Sequence, residues 1–224
     1  MKKTLSALTA YFLLLTLPSF ALAAGNNAPS SCAIGALHPT QISVGMLEVK
    51  DKKHEIKKMS SRELDDFELK NPEPSVMGPG GKLYIIDHHH LARALYEAGV
   101  NYTYCTVLAD LSNMTAAQFW AEMRRRNWVY PYDEDGNGPL PYSSIPANVG
   151  MMTDDPYRSF AAAVRKAGGY DKTDKPFAEF KWADYFRPLI KKGDLENHFD
   201  RSVKDGVKLA HSSAASGLPG YQGR

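Results

Sequence analysis

Lys82-Leu83-Tyr84-Ile85-Ile86-Asp87-His88-His89-His90-Leu91-Ala92-Arg93-Ala94-Leu95 is the stretch that decides the fold. Lys82 to Ile86 reads as an apolar strand. Asp87 and three histidines follow, and a helix begins at once. Leu91, Ala94, Leu95 and Ala98 keep the three-four spacing of one apolar face, and Gly99 stops it. A strand that runs into a helix N-terminus is a natural anion site. The first amides of a helix lack intrahelical partners, and the dipole favours negative charge. Histidine adds the side chain whose free proton equilibrium lies near neutrality. The run points to phosphate binding, acid–base chemistry or a metal.

Helical geometry narrows this. Successive helical residues point about 100° apart, so three adjacent histidines cannot face one ion. Asp87 with two of them, His89 and His90, remains a conceivable divalent-metal set. If the helix starts immediately, His88 extends the apolar face of Leu91 and Leu95. Arg93 lies one turn beyond His89, and helical side chains lean toward the N-terminus, so Arg93 is a candidate phosphate ligand. Asp87 suits a cap, an orienting partner for an imidazole, or a ligand.

The neighbouring sequence gives an α/β pattern. Ser75-Val76-Met77, Gly78-Pro79-Gly80-Gly81 and Lys82–Ile86 read as strand, turn, strand. Val100 to Ala109 alternates as a further strand, with Tyr102, Tyr104, Thr106 and Leu108 on one side. Ile42, Val44 and Met46 alternate as well, and part of that segment should be a strand. Ser60-Ser61-Arg62-Glu63 is a capping-box pattern for a helix over 61–70, while Lys50 to Lys58 looks charged and loop-like. The second half is helical. Thr115-x-x-Gln118 caps a helix through about Asn127, and a Gly- and Pro-rich loop spans 129–153. Asp155-Pro156 opens a helix that Gly168-Gly169 closes. An aromatic helix covers 177–190 and a last one 194–210. The expected organisation is an α/β lobe over 37–110 and a mainly helical lobe over 111–210. Polar segments at 24–36 and 211–224 are expected to be disordered.

Lys2 and Lys3, the apolar residues from Ala10 to Phe20, and Ala21-Leu22-Ala23 form a secretory signal-peptide pattern over 1–23. Cleavage after residue 23 of the 224 would leave 201. Losing Lys2 and Lys3 from the 27 basic residues would leave 25 against 25 acidic ones. That balance argues against tight gripping of duplex nucleic acid, which favours a basic surplus. The expected location is secreted or periplasmic, with no membrane association after cleavage. Cys32 and Cys105 could form a disulfide in such a compartment, but spacing alone does not decide whether they meet.

Other motifs have plainer readings. Asp133-x-Asp135-x-Asn137-Gly138 copies half of a calcium loop, but the twelfth position is Ser144, so a polar turn is the default. Arg124-Arg125-Arg126 suits a helix C-terminus, and Lys50, Lys52, Lys53, Lys57 and Lys58 form a second basic cluster. Arg158 lies in the first turn of its helix, where a cation is unfavourable. It therefore calls for a specific partner, an acid or a ligand.

These residues carry a resemblance. Val76…Tyr84-Ile85-Ile86-Asp87-His88-His89-His90-Leu91-Ala92-Arg93-Ala94 resembles the strand–turn–helix signature of the ParB/sulfiredoxin superfamily. From Leu37-His38-Pro39-Thr40-Gln41 to about Arg187 the chain is similar to the ParB-like nucleases. The matching segments are Gly45-Met46-x-x-Val49, Asp87–His90, Ala109-Asp110-Leu111-Ser112, Asp154–Ser159 and Phe180-x-Trp182-Ala183-Asp184. The resemblance implies a compact ParB/sulfiredoxin-like lobe and a phosphate or nucleotide site at the turn. It departs from the pattern in three places. His89 replaces the reactive cysteine of sulfiredoxins, Leu91 replaces the arginine after the histidine, and His88 replaces the glycine.

The leading expectation is an exported nuclease or phosphodiesterase acting on nucleic acid or nucleotides. Asp87, His89 and His90 would be catalytic, with His88, Arg93 and Arg158 on substrate phosphate. No cofactor is specified beyond the option of a divalent metal. The alternatives are a nucleotide-dependent kinase or NTPase on the same turn, and a non-catalytic ligand-binding module.

Overall fold

The computed structural model describes residues 28–223. The signal-peptide reading of residues 1–23 lies outside them. The strands are β1 (Ser30–Ala33), β2 (Ser43–Val44), β3 (Glu73–Met77), β4 (Leu83–Ile85), β5 (Tyr102–Asp110) and β6 (Thr153–Asp154). The helices are α1 (Met46–Ile56), α2 (Ser61–Lys70), α3 (His89–Ala98), α4 (Ala116–Arg125), α5 (Pro156–Lys166), α6 (Ala178–Phe186), α7 (Lys192–Asn197) and α8 (Phe199–Ala210). The larger sheet has the order β1-β5-β3-β4. β3 and β5 run parallel at its centre, and β1 and β4 flank them antiparallel.

The sheet separates two apolar layers. Tyr84 and Ile85 alternate on β4, and they pack into different layers. Ile85 joins Leu91, Leu95, Val49 and Ile56 under α1 and α3. Tyr84 joins Phe119 and Met123 under α4. On β5 the faces exchange. Ser75 pairs with Val107 but Val76 pairs with Ala109, so Leu108 is an extra residue in the ladder. This bulge turns Ala109 to the α4 layer although Cys105 faces the α1–α3 layer. Packing runs through position 110, because Leu111, Phe119 and Met123 complete the layer begun by Val76.

α5 to α8 form a third core around Phe160, Trp182 and Phe186. The small parallel pair β2–β6 ties it to the rest, with Ser43 opposite Thr153. Close approach is needed there, and Gly45 supplies it. A Cβ at Gly45 would sit 2.7 Å from Ser159 Oγ and 2.8 Å from the Ser159 amide.

Four expectations are corrected. Residues 24–36 are not a disordered lead-in within the described part: β1 pairs with β5, Ile34 is buried, and a disulfide joins Cys32 to Cys105. Residues 211–223 are ordered on the third core, where Trp182 Nε1 donates to the Pro219 carbonyl and Ala215 is buried. Lys50–Lys58 is mostly helix, because Val49 and Ile56 lie seven residues apart on one buried stripe while the charges face water. The segment 194–210 is two helices, broken at His198. No helix among the described residues is long and apolar enough to cross a membrane.

Candidate functional site: a histidine turn in a charged cleft

The turn after β4 differs from a simple helix start. His88 takes φ 59° and ψ 18°, the left-handed region, and α3 begins one residue later. The Asp87 carboxylate holds this conformation by accepting the His88 amide at Oδ1, 2.7 Å away. His88 therefore does not extend the apolar face of α3. Its side chain is 41% exposed and Asp87 is exposed beside it. Glycine suits this backbone without strain, which accounts for the glycine of the superfamily pattern.

His89 and His90 are spent differently. His89 is buried, and its Nε2 accepts the Thr40 amide at 3.1 Å. Thr40 Oγ1 lies 3.3 Å from the same nitrogen and donates to the Ile85 carbonyl. Burial pushes the His89 imidazole down to about 3, so the ring is neutral. His90 Nε2 accepts the Gly45 amide at 3.1 Å. Burial, reinforced by the charge of Arg158, holds His90 well below the usual histidine range. Glu48 Oε2 also lies 3.4 Å from His90 Nε2, but that oxygen takes Arg158 Nη1 at 2.9 Å. The two rings pin α3 to residues 40–45.

Arg158 has the acidic partner that its position demands. It pairs with Glu48, lies 3.9 Å from Glu179 at Nη2, and sits over the Phe180 ring at 5.5 Å. Arg165 holds the other Glu179 oxygen at 3.3 Å. These side chains and the turn line one cleft of about 670 Å³. Asp87, His88, His89, His90 and Arg158 all reach it; Arg165, Lys172 and Lys175 add positive charge, and Glu48, Asp174 and Glu179 add negative charge.

Arg93 is not in the cleft, and its expected phosphate role is corrected. Its Nη1 donates to the carbonyls of Val149, Gly150 and Met152, and its Nε pairs with Glu97. The guanidinium clamps the 149–152 turn onto α3 instead. A metal on Asp87, His89 and His90 does not fit either. Both Nε2 lone pairs are committed to backbone amides, and no group of three or more metal-type side chains converges among the described residues. Asp133 is likewise occupied, accepting the amides of Asp135 and Asn137.

Three non-glycine residues among those described have left-handed backbone: His88, Asn127 and Phe177. All three line this cleft. Such conformations cost on the order of 1–3 kcal/mol each and gather at functional sites. The sequence marks neither Asn127 nor Phe177. It also gives no sign of Glu48, a carboxylate inside a highly charged helix. Glu73 had a faint signal, an acid framed by Pro72 and Pro74 at the head of an otherwise neutral strand. It is fully buried, and burial followed by the Asp87 charge raises its carboxyl well above the usual range.

A mixed sheet that feeds a left-handed histidine turn, closed by a helical lobe that completes a charged cleft, defines an α/β protein. The match to known families is more specific. The chain belongs to the family described as "Putative ParB-like nuclease", whose model matches residues 30–188. Its structure is similar to the crystal structure of protein Atu1540 from Agrobacterium tumefaciens, at 40% identity and a TM-score of 0.81. That similarity covers 87% of this chain and 96% of the other. No curated protein matches.

Proposed function

We propose that the protein hydrolyses phosphodiester bonds of nucleic acid or nucleotides in this cleft, and that it does so after export. The observation that carries this reading is the placement of an exposed Asp87–His88 turn and four cations around one cavity, whose acids Glu48 and Glu179 engage Arg158 and Arg165 and leave Lys172 and Lys175 beside Asp174. His88 is the one histidine of the run whose ring is not tied to a backbone amide, so it is the group free to move a proton. It would take a proton from the attacking hydroxyl or give one to the leaving oxygen. The free amides of the first α3 turn and the cations of Arg158, Arg165, Lys172 and Lys175 suit the charge that develops on phosphorus oxygens. Asp87 fixes the turn, and His89 and His90 position it. Their place is thus support for the chemistry rather than proton transfer.

The balanced charge of the chain without residues 1–23 favours a short single strand or a nucleotide over a duplex. Export is supported by the Lys2-Lys3 and Ala21-Leu22-Ala23 pattern, and a disulfide is at home in an oxidising compartment. The test is turnover of single-stranded DNA, RNA and dinucleotides by the purified oxidised protein, beside Arg158→Met. Cleavage that Arg158→Met reduces at least tenfold supports the reading. Absence of cleavage, or cleavage indifferent to the substitution, overturns it. N-terminal sequencing of protein from the periplasmic fraction tests export: a start near Ala24 is expected, and an intact Met1 contradicts it.

A further inference from the structure

The cleft does not end at its aromatic rim. A second groove of about 530 Å³ adjoins it, lined by Tyr130, Tyr132, Leu140, Pro141 and Tyr142, with Arg124 at its edge. Asn127 and Phe177 line both cavities, so the two meet at the residues whose backbones are left-handed. A ladder of rings runs between them. Tyr132 stacks on Tyr130 at 4.5 Å, Tyr130 stacks on Phe180 at 4.2 Å, and Arg158 covers Phe180. Phe177 leans on Tyr130 at 5.0 Å. Tyr142 is backed by Trp120, stacked at 4.8 Å. Of the three adjacent arginines, Arg125 and Arg126 are taken up by Glu122, whereas Arg124 faces the groove.

We infer that this groove is a base-binding subsite, so the ligand is a single strand of at least two nucleotides that spans both cavities. The inference rests on the phosphodiester reading of the cleft. Flat aromatic walls beside a basic channel are what sequence-tolerant binding of single strands needs. Every base offers a π-face, and a positive wall follows the phosphates. Rigid, pre-stacked tyrosines lose little side-chain entropy when a base joins them. Continuity with the cleft through Phe177 and Asn127, together with the Arg124 charge, favours a nucleotide over a neutral apolar occupant. The phosphate between two nucleotides would lie on the His88 side, with the neighbouring base among Tyr132, Leu140 and Tyr142.

The test is equilibrium binding of thymidine monophosphate, a thymidine tetranucleotide and an abasic tetranucleotide to the full oxidised protein. Phosphorothioate linkages block turnover. The tetranucleotide should bind roughly tenfold tighter than both others, the span expected for one stacked base. Tyr132→Ala should abolish that gain and leave the affinity of the abasic tetranucleotide unchanged. Equal affinity for the abasic and normal tetranucleotides overturns the inference without any variant. So does a Tyr132→Ala effect of equal size on the abasic and normal tetranucleotides. A proline-rich peptide that fills the groove while the tetranucleotide does not would also overturn it. If monophosphate binds and the tetranucleotide gains nothing, only the subsite fails. If none of the three binds, the phosphodiester reading fails with it.

Discussion

His88 Nδ1 lies 4.0 Å from Oε2 of Glu73, a carboxyl with no exposed surface. Neither Glu73 oxygen has a hydrogen-bond partner among the described residues. A buried carboxylate in that setting is costly, which favours the protonated form. Its folded value is raised above the ordinary 4.5 by burial first and by Asp87 and Glu68 next, with Lys52 opposing. Between 4.5 and the folded value, the folded state binds more protons than the unfolded one. Stability therefore falls as pH rises through that window. Glu73→Gln removes the titration and should flatten the decline. Urea denaturation at pH 4.5 and pH 8 should show a smaller loss in the variant. Parallel losses in both proteins would contradict the placement.

His89 works in the opposite sense. Its folded value of about 3 lies below the free value of 6.5. Its contribution is fully present above pH 6.5 and is lost as pH falls toward 3, where the unfolded state alone takes up the proton. His90 is lowered too and acts in the same sense. His89→Ala also orphans the Thr40 amide and leaves a cavity, at a cost of about 2–4 kcal/mol near neutral pH. Denaturation curves should show the gap between wild type and variant narrowing from pH 7 to pH 4. A gap that stays constant would rule out a neutral, buried imidazole.

The disulfide between Cys32 and Cys105 closes a separation of 73 residues and staples β1 to β5. Loop-closure entropy for that length gives about 4 kcal/mol, with native-state effects adding or subtracting. Reduction, or the Cys32→Ala/Cys105→Ala pair, should lower the urea midpoint correspondingly when followed by tryptophan fluorescence. An unchanged midpoint under strong reductant would show that β1 docking does not depend on the bridge.

Arg93 and Arg158 should separate stability from binding. Arg93→Met releases three carbonyl oxygens of the 149–152 turn and should cost about 2–4 kcal/mol, read as a lower Tm, with little change in nucleotide affinity. Arg158→Met removes a cleft cation and should weaken nucleotide binding at least tenfold. Thermal melts with and without thymidine monophosphate distinguish them. Equal loss of ligand-induced stabilisation in both variants would place Arg93 in the cleft.

Much of the fold is written locally. The capping boxes at Ser60–Glu63 and Thr115–Gln118 both form, and the β5 alternation leaves Tyr102 outward and Thr103 inward. What escaped was set by tertiary contact. β1 is four small or polar residues made into a strand by β5 and a disulfide, and α1 carries too few apolar residues to announce a face. In the site, Asp87–His90 and Arg158 line one cleft. The division of labour among the histidines depended on the left-handed backbone at His88 and on Thr40 and Gly45, 49 and 45 residues from the rings they hold. No local pattern encodes those partners.

Whether His88 moves the proton is decided by single-turnover cleavage of a short single-stranded oligonucleotide by wild type and His88→Ala, with Tm measured for both. A rate loss of about 100-fold or more is expected with Tm lowered little, since the His88 ring is half exposed and holds no backbone amide. Cleavage by His88→Ala at the wild-type rate would contradict it, as would loss of cleavage in His89→Gln with His88→Ala fully active.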